Sequence, residues 1–416
     1  MKKIIAVLFL QTGLWVGCSV DSSQTIHYSV NEPVFTSAET FRRSIQITTE
    51  ARSLHDCGEI GFYDNYLYIS EPGKGIHIVD NTQPEQPKIK GYIEIPGHRD
   101  LTIRDRQLYV DALIDLVWFD LSNPAQPVLQ GRMENIFPDA LPAIPNEYGY
   151  DYELCQKGIA QGKIVTGWQL KERKQQNSYN ESMNADAAHS SPTLSQGNAF
   201  AGIINKYSHF ALFDYYLYAV INNYIHIIDL SGETPKKIES NVSVANVETI
   251  LPYRDKLFLG TSTGTVIYSV KDPQHPIYCS QIPHVYGCNP IAIHNDYAYL
   301  TVRSGNSCGQ NTNELIIMDI SNAKQPQTLV SYSMKNPKGL SIHDGLLFLC
   351  DEGLKVFKIG QPEMMMTGQL AHFKETNGDS VIPFNNRLMM IADNGLYQYE
   401  YSNGNIRLIS VISIKK

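Results

Sequence analysis

The sequence has no excess of basic charge. Its 34 Lys and Arg stand against 42 Asp and Glu, for a formal net charge of -8. No basic stripe can follow a phosphate backbone, which argues against a nucleic-acid partner. There is no His-x-x-x-His or Cys-x-x-Cys spacing, no glycine-rich phosphate loop and no Asp-x-Asp-x-Asp-Gly loop. The local signatures of zinc, nucleotide and EF-hand calcium sites are therefore missing. After the first 17 residues no apolar run is long enough to span a bilayer as a helix. Trp is scarce at 3 and Phe numbers 14, yet Tyr reaches 25. Tyr pairs a large apolar ring with one polar tip, so its abundance points to β-strands first and to a protein- or glycan-binding surface second.

The amino terminus reads as an address. Lys2 and Lys3 precede the apolar run Ile4 to Leu10, and small Gly17 precedes Cys18. This order of basic end, short apolar stretch and small-residue cleavage site is that of a secretory signal. Val16, Gly17 and Cys18 resemble the end of a bacterial lipoprotein signal, with Trp15 where leucine is usual. The resemblance implies a signal peptide over 1–17, lipidation of Cys18 and a tether over 18–42. Cleavage there removes Lys2 and Lys3, taking the formal charge from -8 to -10.

What is present in quantity is a repeat. Apolar strands recur at Ile76–Asp80, Leu116–Asp120, Ile225–Asp229, Ile267–Lys271, Leu315–Asp319, Leu354–Lys358 and Leu396–Glu400. Their ends are spaced 40, 109, 42, 48, 39 and 42 residues apart. A period near 42 with four short strands per unit is the signature of a β-propeller. The fold class is all-β, a single propeller over 43–416 with seven four-stranded blades. The long gap leaves room for an eighth blade, with GKIVTGWQL (162–170) as one of its strands. That gap is read as an insertion over 133–206, disordered at about 171–200, where the chain is polar and nearly free of apolar periodicity. Residues 43–51 and 406–414 are both candidate ring-closing strands.

The stretches YLYI…GIHIVDNTQPEQP, LVWFDLSNPAQP and LIIMDISNAKQP resemble the LVIVD repeat of bacterial envelope propellers. A lipoprotein signal ahead of such repeats is similar to a group common in Bacteroidetes. The resemblance spans 60–132 and 207–401, and implies a fold and an outer-membrane location, facing the periplasm or the surface. It brings no catalytic residues.

In a propeller, the hairpins between second and third strands open on the same face as the blade-to-blade loops. The hairpins contribute Glu71, Asp111, Asp115, Asp351, Glu352 and Asp393 to that candidate ligand face. The connecting loops contribute His55, Asp56, His98, Arg99, His284, Tyr286, Lys335, Lys338 and Asp379. Carboxylates at this density suit Ca²⁺, which takes six or more oxygens, but tight hairpins require Asp and Gly anyway. No cofactor and no protein metal ligands are assigned. Ser307 in GNSCG matches the G-x-S-x-G pattern, but between two strands it lacks the strand-to-helix elbow that the chemistry needs. Asp379-Ser380-Val381 matches a three-residue O-glycosylation pattern. If Cys18 carries lipid, six cysteines remain, an even number that suits disulfides in an exported chain. Cys288 and Cys308, expected on one face of one blade, are the pairing with a geometric argument. Cys350 reads as a small buried hydrophobe.

Two function classes remain. One is a lipid-anchored module that presents its loop face to a protein or glycan partner. The other is a lyase or hydrolase using carboxylates and histidines at the channel mouth. Catalysis needs an acid/base pair around one substrate atom, and the sequence exhibits none. The binding module is therefore preferred.

Overall fold

The computed structural model describes residues 25–176, 209–240, 242–261, 263–283, 290–304, 311–402 and 405–415. Seven four-stranded antiparallel sheets follow one another along the chain as the blades of a propeller. The blades begin at Ile60, Leu101, Phe210, Val247, Ile291, Leu340 and Gly378, and the first strands of successive blades adjoin around the axis.

Second and third strands are sandwiched between neighbouring blades, so both their faces need apolar side chains. Tyr66–Glu71 and Gly75–Asp80, for example, are buried over five of six positions each. This is why the repeat reads as continuous apolar runs. Fourth strands form the rim and are more polar, as in Val128–Met133. The aspartate closing the repeated strand caps the following turn. Asp80, Asp120, Asp229 and Asp319 each accept the backbone N–H two residues on, at 2.8–3.1 Å.

Tyr68, Tyr218, Tyr299 and Tyr399 are fully buried. Two of them tie a blade to the proline turn of the next: Tyr68 Oη donates to Pro124 O and Tyr218 Oη to Pro273 O, both at 2.7 Å. The tyrosine excess is thus structural in part.

Among the described residues no strand is shared between the first and last blades. Of the two candidate closing segments, Gln46–Thr48 adds a fifth strand to the rim of blade one, and Asn405–Ser413 is the fourth strand of blade seven. Side chains and one bridge close the ring instead. Leu54 and Ile414 form a parallel bridge. Asn81 and Gln398 exchange amide hydrogen bonds of 2.8 and 3.2 Å while Gln398 also donates to Pro84 O. Phe62 stacks on Phe384 at 4.3 Å.

The eighth blade and the tether are corrected. Residues 163–176 form one strand, Lys163–Gln176, whose partner is Thr25–Ser37. The two make a long ribbon outside the blades, so residues 25–37 are sheet and residues 171–176 of the expected disordered stretch are paired. Sequence patterning missed this because the two strands lie some 140 residues apart and neither has a hairpin turn to the other. Helices α1 (Ala38–Arg43) and α2 (Tyr152–Ala160) complete an accessory layer; Ser37 and Asp151 cap their first turns. Asn31, fully buried in the ribbon, holds the loop before α2 through Asn146 Oδ1 at 2.8 Å and Tyr148 O at 2.9 Å. Residues 177–200 of the disorder assignment, the 1–17 signal and Cys18 lie outside the described residues.

Candidate ligand-binding face

The accessory layer sits on the loop face of blades two and three. Phe41 of α1 and Ile164 of the ribbon share a buried cluster with Leu113 and Ile114 of the blade-two hairpin, Phe137, Phe210 and Ile221. Burying those hairpin residues stabilises the layer by about 2 kcal/mol per large apolar side chain. It also removes part of the expected ligand face from water.

Most of the expected hairpin carboxylates are structural. Asp115 is fully buried and accepts from Arg42 Nε and Arg132 Nη1, both at 2.8 Å, and from the Asn135 N–H at 2.8 Å. Burial pushes its carboxyl up, but these donors outweigh it and the net shift is downward. Asp111 accepts the N–H groups of Arg99 and Asp100 at 2.8 and 2.9 Å, with burial raising its carboxyl to about 6. Asp351 repeats the device with the N–H groups of Lys335 and Asn336, at 3.0 and 2.6 Å, and adds Lys355 at 2.6 Å. Asp111 and Asp351 thus staple the blade-to-blade loops that enter their blades.

Glu71 is likewise buried, between Lys74 at 2.6 Å and His77 Nε2 at 2.8 Å. Burial raises its carboxyl, but Lys74 and His77 bring it below its ordinary value. His98 is fully buried, with Nδ1 3.3 Å from Ile95 O and Nε2 2.8 Å from Ser70 Oγ. A carbonyl can only accept, so Nδ1 carries the proton and Nε2 accepts from Ser70. Burial holds this imidazole neutral, lowering it to about 4. Glu71, Asp111, Asp115, His98 and Asp351 therefore correct the expectation of a carboxylate-rich binding surface: each is consumed inside the fold.

Glu352 and Asp393 remain exposed. Asn377 joins them: it donates to Asp393 Oδ2 at 3.2 Å, and it lines a polar cleft of 350 Å³ with Glu352, Lys374 and Thr376. Lys338 pairs with Asp379 at 2.6 Å. Ser380 lies in the innermost strand of blade seven rather than on a loop. His284, Tyr286, Ser307, Cys288 and Cys308 lie outside the described residues, and with them the expected disulfide. Cys57, Cys155, Cys279 and Cys350 are not disulfide-bonded, and Cys350 is fully buried as a small hydrophobe. Among the described residues, no three His, Cys, Asp or Glu side chains come together as a metal set.

Sequence reading missed the residues that immediately precede or open the innermost strands. Asp100 reaches across to blade three, its Oδ2 accepting the N–H groups of His209 at 2.5 Å and Phe210 at 2.8 Å. Burial and the neighbouring Glu59 raise its carboxyl well above the ordinary value. Burial alone lifts Glu59 and Glu248 to about 7. The available signal was a polar residue immediately before the first strands of blades one to three: Glu59 before Ile60, Asp100 before Leu101 and His209 before Phe210.

A raised carboxyl favours the protonated form in the folded chain. Its stabilising effect is complete below pH 4.5 and is lost as pH rises towards 7. Glu59→Gln, which imitates the protonated group, is expected to match the unsubstituted chain near pH 4.5. At pH 8 it should exceed it by about 2 kcal/mol. Urea melts at the two pH values measure this; an equal difference at both would contradict the assignment.

An apolar cleft of 340 Å³ opens on the loop face where the accessory layer meets blade one. Pro72, Pro96, Pro142 and Pro145 line it with Trp168, His98 and Arg99. Trp168 Nε1 donates to Pro142 O at 3.0 Å and its ring lies 5.1 Å from that of Tyr150. Arg99 donates to the adjacent carbonyl, Leu141 O. Two consecutive carbonyls thus fix the indole and the guanidinium in the same wall.

Solved structures align with most of the chain at low sequence identity. A computationally designed protein, Ika8, aligns with a TM-score of 0.48 at 10% identity, over 88% of this chain and 90% of its own. BamB from Moraxella catarrhalis aligns with a TM-score of 0.45 at 8% identity, over 81% and 82%. Hsv2p from Kluyveromyces lactis gives 0.47 at 10% identity, over 88% and 100%. No curated protein matches in sequence. The repeat is matched directly: the chain carries LVIVD repeats in three segments, residues 56–94, 100–135 and 288–333, on a seven-bladed β-propeller.

Proposed function

We propose that the chain is a lipid-anchored cell-envelope module that binds a protein or glycan through the loop face of its propeller. The observation that carries this reading is the cleft between accessory layer and blade one, an apolar opening with a tryptophan and an arginine fixed in one wall. Pockets of roughly 300–1,000 Å³ with apolar lining and few convergent polar groups are typical of ligand sites. The lyase or hydrolase reading draws on Glu59 and Asp100, whose raised carboxyls suit proton transfer. Neither of those residues lines this cleft or the polar one between blades six and seven, so the binding reading is favoured.

The anchor rests on the signal peptide expected over 1–17 and the Cys18 that follows it. Among the described residues no helix is long and apolar enough to cross a membrane. One acyl chain holds a protein to a bilayer only marginally, whereas several chains on one cysteine hold it stably. Cys18→Ala is expected to move the protein from the membrane pellet to the soluble fraction. Retention of Cys18→Ala in washed, detergent-free membranes would overturn the anchor while leaving the binding face untouched.

A further inference from the structure

We infer that the Arg99–Trp168 cleft is a receptor for the free C-terminal carboxylate of a peptide whose last residues are apolar. The inference deepens the binding-module reading and rests on it. Arg99 is half-buried, and among the described residues its guanidinium donates to a neutral carbonyl, Leu141 O. Arg42, Arg132, Arg173 and Arg407, by contrast, each have a carboxylate within 2.8 Å. Among the described residues Arg99 has no such ion pair. The opposite charge acting on it is Asp111, whose Oδ1 is already occupied by the N–H groups of Arg99 and Asp100. A guanidinium with donors to spare at the wall of a cleft is arranged for a bidentate carboxylate.

The rest of the cleft says what carries the carboxylate. The polar side chains besides Arg99 are engaged: Thr166 Oγ1 donates to Val34 O at 3.3 Å, Trp168 Nε1 to Pro142 O, and both His98 nitrogens are bonded. A sugar ring would leave most of its hydroxyls without partners there. An apolar chain end would instead bury its side chains against four prolines and the indole. Capture of a terminal carboxylate is an established mode of peptide recognition.

The test uses the full-length chain and N-terminally fluorescein-labelled hexapeptides ending in Leu, Val, Phe or Pro, each as free acid and as C-terminal amide. Fluorescence polarisation should show the acids binding at least about tenfold more tightly than the amides. Arg99→Met should erase that difference, Arg99→Lys should retain part of it, and Trp168→Ala should weaken acid and amide alike. Equal binding of acid and amide by the unsubstituted chain would overturn the proposal whether or not the variants fold. So would an acid preference that survives Arg99→Met. Arg99-dependent binding of a uronate oligosaccharide with no peptide binding would overturn the peptide and assign a sugar acid. If neither probe binds while partners still cross-link to the loop face elsewhere, this site falls and the module reading stands.

Discussion

Asp115→Ala is expected to cost about 3 kcal/mol, because it leaves Arg132 without its buried carboxylate and Arg42 with only the more exposed Glu134, at 2.8 Å. The side chain is 0% exposed and its arginine partners, Arg42 and Arg132, are 18% and 14% exposed. The Asn135 N–H loses its acceptor as well. Because Arg42 belongs to α1, the loss should appear first as detachment of the accessory layer, with new proteolytic cuts near Arg42 and Arg43. Chemical denaturation and limited proteolysis read the two effects. A loss under about 1 kcal/mol, the range of an exposed pair, would contradict the buried triad.

Asp115 also marks where the sequence stopped being legible. Its place on a hairpin of the loop face followed from the repeat. Its partner Arg42 lies in a segment expected to be a tether, 73 residues away, so the acid looked available when it was already bound. The same distance effect hid the ribbon. TIHYSVNEPVFTS over Thr25–Ser37 alternates like a strand, but nothing local reveals that Lys163–Gln176 is its mate. The blades were legible because their strands pair with immediate neighbours and their turns carry residues with a local purpose. Asp105 and Asp214, at φ 52° and 53°, take left-handed positions in the first hairpins of blades two and three. The acids ahead of the first strands were missed for another reason. The repeat was aligned on its third strand, where the apolar signal is strongest, whereas Glu59 and Asp100 stand one residue ahead of the first.

The second large effect is expected at Gly353, in the hairpin that carries Asp351 and Glu352. Its φ of +110° is a conformation L side chains rarely adopt, and an added Cβ would lie 2.0 Å from Phe373 O and 3.0 Å from Lys374 Cα. Both obstacles are backbone, so the hairpin would have to separate from the fourth strand of blade six. Gly353→Ala should therefore cost about 3 kcal/mol or more. Cys350 in the same blade is fully buried, so its reaction rate with a thiol reagent is a second readout. Gly345→Ala is a control, since a Cβ there meets nothing within 4 Å and φ +69° is left-handed but less extreme. A Gly353→Ala melt indistinguishable from that of Gly345→Ala would contradict the close approach.

The two effects bear on function through the same face. The Asp115 group holds the accessory layer down, and the layer supplies Pro142, Pro145 and Trp168 to the cleft. Gly353 shapes the polar cleft between blades six and seven. If the loop face is the binding surface, Asp115→Ala should impair partner binding before it unfolds the blades.

Site-specific photo-crosslinking in living cells tests that surface most directly. A photoreactive amino acid is placed at Thr166 or Lys374 on the loop face, and at Glu85 or Asn123 in turns of the opposite face. Discrete crosslinked species are expected from Thr166 and Lys374, with none from Glu85 and Asn123. Crosslinks confined to Glu85 and Asn123 would contradict binding through the loop face.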